Sequence, residues 1–227
     1  MNIVFENFTF DWYRNLFDNS DLIEAFTNTL IVAGVSTIIS TIIGTMSAYG
    51  LYKYDFKGKG IINGLIYVPI VIPEIVLGIA LLSIYTLMKL ELSLFTIILS
   101  HIAFSIPFVI VSVRSTLNND IKVLEESAKD LGASNFIIFK KIVLPTIMPA
   151  IVSGATLAFT LSLDDVVISY FTAGPGSNTL PLYIYSMIKT GITPDVNALS
   201  TLMMLVVFVI LISVTIYQSH KIRSRAI

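Results

Sequence analysis

Of the chain's 227 residues, 55% are hydrophobic and 13% charged, with a mean hydropathy of +0.85 and a net charge of −1. A soluble domain carries about 25% charged residues, so the composition excludes a soluble globular chain. The near-zero charge excludes a general attraction to nucleic acid, and the absence of cysteine excludes disulfides and thiolate metal sites.

Residues 1–24 form an amphipathic arm, with Glu6, Asp11, Asp18, Asp21 and Glu24 against Arg14 alone. A signal peptide opens with a basic segment followed by an apolar run, and the arm has neither. Phe8, Phe10, Trp12, Tyr13 and Phe17 suit the membrane–water boundary, where aromatic side chains collect, on the outer side.

Crossing the hydrocarbon core takes about 20 apolar residues in a helix. Five runs within 25–219 meet that length. The first is Ala25–Tyr52, with no charge between Glu24 and Lys53. The second, Ile61–Met88, is interrupted by Pro69, Pro73 and Glu74, and the third, Leu92–Val113, carries His101 and Pro107. The fourth, Thr146–Tyr170, has Asp164 and Asp165 near its end, and the fifth is Val196–Ser219. The expected fold is therefore an all-α integral membrane protein with five transmembrane helices.

Lys and Arg set the orientation. Lys53, Lys57 and Lys59 follow the first span, Arg114, Lys122, Lys129, Lys140 and Lys141 the third, and Lys221, Arg223 and Arg225 the fifth. These are eleven of the fourteen cations, against Arg14, Lys89 and Lys189 on the other side. The loop 115–145 and the basic tail 220–227 are expected in the cytoplasm. The loop 171–195 is expected outside, with turn signals at Gly174-Pro175-Gly176 and Thr193-Pro194-Asp195. Its apolar middle, Leu180–Ile188, fits either a short helix at the outer face or a re-entrant segment.

Two ladders of small residues repeat at every fourth position, Ser36/Ser40/Gly44/Ala48 and Ala150/Gly154/Ala158/Ser162. Each makes a stripe that lets another helix backbone approach. Packing inside the subunit and contact with a second subunit both fit.

In the 115–145 loop, Asn118, Asn119 and Asp120 offer cap oxygens for a helix. That helix would put Val123, Leu124, Ser127, Ala128 and Leu131 on one side and Lys122, Glu125, Glu126 and Lys129 around the rest. Gly132 reads as its stop and Ser134 as the cap of a second short helix, with Pro145 opening the next span. The result is a helix–Gly–helix elbow.

The same loop contains Glu126-Ser127-Ala128, three residues, Gly132, nine residues, and Ile142-Val143-Leu144-Pro145. This resembles the "EAA" loop of ABC-importer permease subunits, E-A-A-x3-G-x9-I-x-L-P, with Ser127 the one departure. The resemblance extends over nearly the whole chain from Trp12, through Thr160–Val167, Leu180–Met187 and Pro194–Leu199. Those segments are similar to the spermidine/putrescine branch, specifically its second permease subunit.

That resemblance implies a coupling loop built on Glu126, Ser127, Ala128, Asp130, Leu131, Gly132, Ala133, Ile142, Leu144 and Pro145. It also implies a location in the bacterial cell membrane and a set of partners: a cytoplasmic pair of ATPase subunits, a second permease, an external polyamine-binding protein and membrane lipid. ATP would be bound by the partner, since no G-x4-G-K-[ST] phosphate loop occurs in this chain. Members of the family usually have six spans, and the chain opens where the arm after the first span would lie. A missing N-terminal segment is the favoured reading.

A carboxylate inside a bilayer costs about 2.5–3.5 kcal/mol on insertion scales, so Glu74, Asp164 and Asp165 need a cavity or a partner. Polyamines are flexible polycations, and these three residues are candidates to line or gate a cation route. The competing reading is structural, an acid satisfied at a helix end. His101 and His220 have no ligand partners at metal-site spacing, so neither metal nor cofactor is expected.

Two other classes compete. An intramembrane aspartyl protease would need a G-x-G-D signature, which is absent around Asp164 and Asp165. A channel or secondary transporter would not need the coupling loop. Within the importer class, another small solute or cation is the alternative cargo.

Overall fold

The computed structural model describes residues 11–187, 194 and 196–205. The start of the arm, Lys189, most of the fifth span and the basic tail with His220 lie outside the described residues. The chain divides into two compact units, 25–182 and 1–24 together with 183–227. In the smaller unit, α1 spans Asp11–Asp18, and the fifth span begins as a helix at Val196–Leu205.

The longest element, α2, runs over Ser20–Lys53 for 34 residues. At 1.5 Å per residue it measures about 51 Å, longer than the hydrocarbon core. Its start is capped by Asn19, whose side-chain oxygen accepts from Leu22 N at 3.1 Å.

The second run is broken, as its prolines require. α3 (Lys59–Ile66) follows Gly58, which holds φ at +92°, and α4 covers Val68–Val71. Pro73 forces Ile72 into extended backbone (φ −69°, ψ 134°), since a residue before proline is excluded from the helical region. α5 (Glu74–Leu87) then departs at 109° to the first half.

α6 (Leu94–Arg114) is the axis on which the larger unit is built. Both small-residue ladders close on it. Ser36, Ser40 and Ala48 are fully buried. A Cβ on Gly44 would sit 2.7 Å from Val109 Cβ, and one on Gly154 would sit 3.2 Å from Val109 Cα and 3.1 Å from Ser112 Cβ. Val109 is thus clasped between two glycines, so the ladders serve packing inside the subunit.

α7 (Asn119–Asp130) and α8 (Asn135–Ile138) lead through a π-helical turn, Phe139–Val143, into α9 (Leu144–Asp164). Pro145 stands in the first turn of α9, where the sequence placed a helix start, and the π turn joins α9 to α8 in one helical path over Asn135–Asp164. Pro145 has no N–H for the carbonyl one turn back, and the wider π turn before it accommodates that loss.

α9 stops at Asp164, short of the expected Tyr170, because Asp165 takes extended backbone (φ −65°, ψ 128°). α10 (Val167–Thr172) follows, and α11 (Leu180–Ser186) occupies the middle of the expected outer loop. Among the described residues three helices are long and apolar enough to cross a membrane, or four with the bent pair.

Candidate functional site

Two polar constructions stand out in the larger unit. The first is the elbow of α7 and α8. Asn118 Oδ1 accepts from Asp120 N at 3.1 Å and Ile121 N at 3.2 Å, a helix cap that contributes about 1 kcal/mol. At the other end Ala133 N donates to Ala128 O at 3.0 Å and Gly132 N to Lys129 O at 2.8 Å. This pair of bonds closes a helix only with a left-handed residue between them, and Gly132 supplies φ +81°. The spacing from Ala128 through Gly132 to Ala133 is therefore the signature of a helix stop. Both alanines are half-buried against the core.

The elbow has two unlike faces. Ile121, Ile138 and Val143 join Ala48, Tyr49, Val109, Val113 and Ile147 in one buried cluster that ties it to α2, α6 and α9. Glu125 is buried among them. It accepts from Tyr49 Oη at 2.9 Å, with Lys53 Nζ at 3.6 Å from its other oxygen and itself donating to Tyr49 Oη at 2.6 Å. On the outward face Val123 is 60% exposed, Leu131 89% and Phe136 71%.

The residues expected in the coupling loop divide along this line. Glu126, Ser127, Asp130, Leu131, Gly132 and Pro145 are exposed, while Ala128, Ala133, Ile142 and Leu144 are half-buried. Val123 and Leu124 had been grouped with Ala128 on one side. The buried stripe is Ile121–Glu125–Ala128 instead, so Glu125, expected on the polar side with Lys122, Glu126 and Lys129, faces the core. The signal that could have found it is the Tyr49/Lys53 pair, one helical turn apart at the end of a span.

Beside the elbow, the turn between α2 and α3 carries an exposed pair in which Lys59 Nζ donates to Asp55 Oδ1 at 2.7 Å. The Lys59 ammonium holds the Asp55 carboxyl below its ordinary value.

The second construction surrounds the end of α9. Asp165 is buried and accepts from Ile168 N at 3.1 Å and Ser169 N at 2.8 Å, capping α10. Its Oδ2 lies 3.3 Å from His101 Nε2. His101 is fully buried, with Nε2 3.1 Å from Ser169 Oγ and Nδ1 2.6 Å from Ser162 Oγ, which in turn meets Ser36 Oγ at 3.2 Å. Asp164 and Glu74, by contrast, are exposed. The structure thus parts the adjacent aspartates and does not gather the three candidate acids. His101, which has no ligand partner at metal-site spacing in the sequence, finds hydrogen-bond partners across the fold. Among the described residues no group of His, Asp and Glu is placed to hold a metal ion.

A chain of long apolar helices, one of them broken by proline and two joined by a capped elbow, is a multi-pass α-helical permease. Residues 40–225 match the family described as the inner membrane component of binding-protein-dependent transport systems, and the chain belongs to it, a bacterial inner-membrane protein. It is 44% identical over 212 residues to the spermidine/putrescine transport system permease protein PotC of Escherichia coli K12, covering 93% of this chain and 80% of that protein. It is 36% identical over 200 residues to the putrescine transport system permease protein PotI of the same strain, covering 85% and 71%. The fold matches the inward-facing MetNI methionine ABC transporter with a TM-score of 0.70 at 19% identity, over 85% of this chain and 92% of that one.

Proposed function

We propose that this chain is a transmembrane permease subunit of an ATP-driven polyamine importer. It forms the translocation path with a second permease, receives spermidine or putrescine from an external binding protein, and is driven by a cytoplasmic pair of ATPase subunits. The cargo reading is supported by the similarity to PotC and PotI and by the exposed carboxylates Glu74 and Asp164, which suit a flexible polycation.

The observation that carries the coupling reading is the two-faced elbow. Val123, Leu124, Leu131 and Phe136 face outward, in the manner of an apolar helix face laid into a groove. Behind them, Glu125 is bonded to Tyr49 and paired with Lys53 of α2, and Ile121 and Ile138 sit in the cluster shared with α6 and α9. Closure of the ATPases on ATP would push the outward face, and the buried face would pass that push to α2, α6 and α9 as one body. The accessible side of the path would then switch. In this reading the elbow and the C-terminus are cytoplasmic, the side that holds eleven of fourteen cations.

Because the chain has no cysteine, a single Cys at Leu131 or Phe136 reports cleanly. In native membranes holding the whole importer, a reagent with one thiol-reactive and one amine-reactive end should join either position to the ATPase subunit, and a Cys at Trp12 should give no such product. Labelling of position 131 in intact cells by a membrane-impermeant reagent, with no ATPase product, would contradict the assignment.

A further inference from the structure

A polar group inside an apolar span is costly unless hydrogen-bonded, and His101 is bonded at both ring nitrogens. A carboxylate can only accept, so Nε2 carries a proton toward Asp165, and Nδ1 is hydrogen-bonded to the Ser162 hydroxyl. Ser162 meets Ser36 in turn, which carries the chain of hydrogen bonds on to α2. Four segments meet here: α2 through Ser36, α6 through His101, α9 through Ser162 and α10 through Ser169.

What this clasp fixes is α10 and the break before it. α10 is held again at its far end, where Thr96 Oγ1 of α6 donates to Thr172 O at 2.8 Å. A Cβ on Gly174 would collide with Leu92 O, so the chain after α10 lies directly on the start of α6. On its other side α10 presses Phe171 onto Gly78, where a Cβ would stand 2.6 Å from the ring. Gly78 is one turn along α5 from Glu74, and Asp164 is bonded directly to Asp165. Both exposed carboxylates therefore sit at the ends of segments whose position the clasp determines.

We infer that His101 is a positioning residue for transport: through Asp165 and α10 it sets where Asp164 and Glu74 stand, without itself meeting the cargo. The inference rests on the cation-route reading above. It divides the adjacent acids, giving Asp165 to the clasp and leaving Asp164 to face the polycation.

The test uses the whole importer in membrane vesicles with His101→Leu and His101→Gln. The Gln amide nitrogen reaches the Nε2 position and restores the donor to Asp165, whereas Leu fills the space without one. The Leu variant should raise the spermidine concentration for half-maximal uptake about tenfold, the loss expected for one hydrogen bond to a charged group. The amount of assembled importer should stay unchanged, and Gln should recover most of the affinity. A second readout is independent of cargo: Asp164→Cys, the only cysteine in the chain, is labelled with a cationic thiol reagent. Its rate should change in the Leu background and return in the Gln background.

A Leu variant equal to the parent in both readouts would overturn the inference. So would one that only lowers the assembled amount, since that is packing alone. No spermidine uptake in the parent, with labelling at 164 still responding to residue 101, would remove the cargo reading and leave the positioning role in place.

Discussion

Replacing Glu125 should cost the elbow its hold on the membrane helices. Its carboxylate accepts from Tyr49 Oη at 2.9 Å and has Lys53 Nζ at 3.6 Å, with both charged side chains largely shielded from water. A hydrogen bond to a charged group contributes about 1.5–3 kcal/mol, and an orphaned buried partner adds its own desolvation cost. Lys53 adds less, since 3.6 Å exceeds direct hydrogen-bond reach. Glu125→Ala removes the acceptor and leaves Tyr49 and Lys53 facing each other alone, for a loss of about 3 kcal/mol. That is roughly a hundredfold shift from docked toward undocked elbow. Glu125→Gln keeps an oxygen for Tyr49 and should lose about 1 kcal/mol. The assay is trypsin cleavage at Lys122 and Lys129 in membranes holding the whole importer, followed with uptake per ATP hydrolysed. Ala should speed cleavage strongly and lower uptake per ATP, and Gln should lie between Ala and the parent. Unchanged cleavage and coupling in Glu125→Ala would refute the claim that this residue binds the elbow to α2.

Leu131→Asp alters the outward face alone, and should abolish ATP-coupled uptake while leaving the thermal midpoint of the detergent-solubilised chain where it was. Gly132→Ala forces a Cβ into φ +81°, which costs about 1 kcal/mol and should lower coupling in the same vesicle assay. Gly44→Ala overpacks against Val109 and should destabilise the solubilised chain by about 1–3 kcal/mol. Gly34→Ala meets nothing within 4 Å and should be neutral or slightly stabilising by helix propensity; circular dichroism melts separate the two. Because Lys59 lowers the Asp55 carboxyl, the pair's contribution is present above the unfolded-state value and fades as pH falls through the folded one. Asp55 is fully exposed, so Lys59→Ala should leave the melt at neutral pH unchanged.

The first and third spans were legible because burial in lipid writes itself as unbroken apolar runs, and the cap at Asn118 and stop at Gly132 because they are local chemistry. Pro69 and Pro73 announced a break, but the 109° turn depends on what α4 and α5 pack against, chiefly α6 and α10. The end of α9 was misjudged because Asp165 leaves the helix to cap α10 and reach His101, far away in sequence. The same distance hid the partners of His101 and Glu125. Helical spacing alone ranked Val123 and Leu124 with Ala128, whereas the buried stripe follows Glu125 because Tyr49 and Lys53 wait for it on α2.

The most direct measurement is uptake of labelled spermidine and putrescine in cells lacking this chain and in cells with it restored, with and without an intact ATPase partner. The account predicts loss in the deletion, recovery on restoration only when the ATPase can hydrolyse ATP, and competition between the two labels. Unchanged uptake in the deletion, in a strain with no other polyamine importer, would contradict the cargo. Recovery that ignored the ATPase would contradict the coupled permease itself.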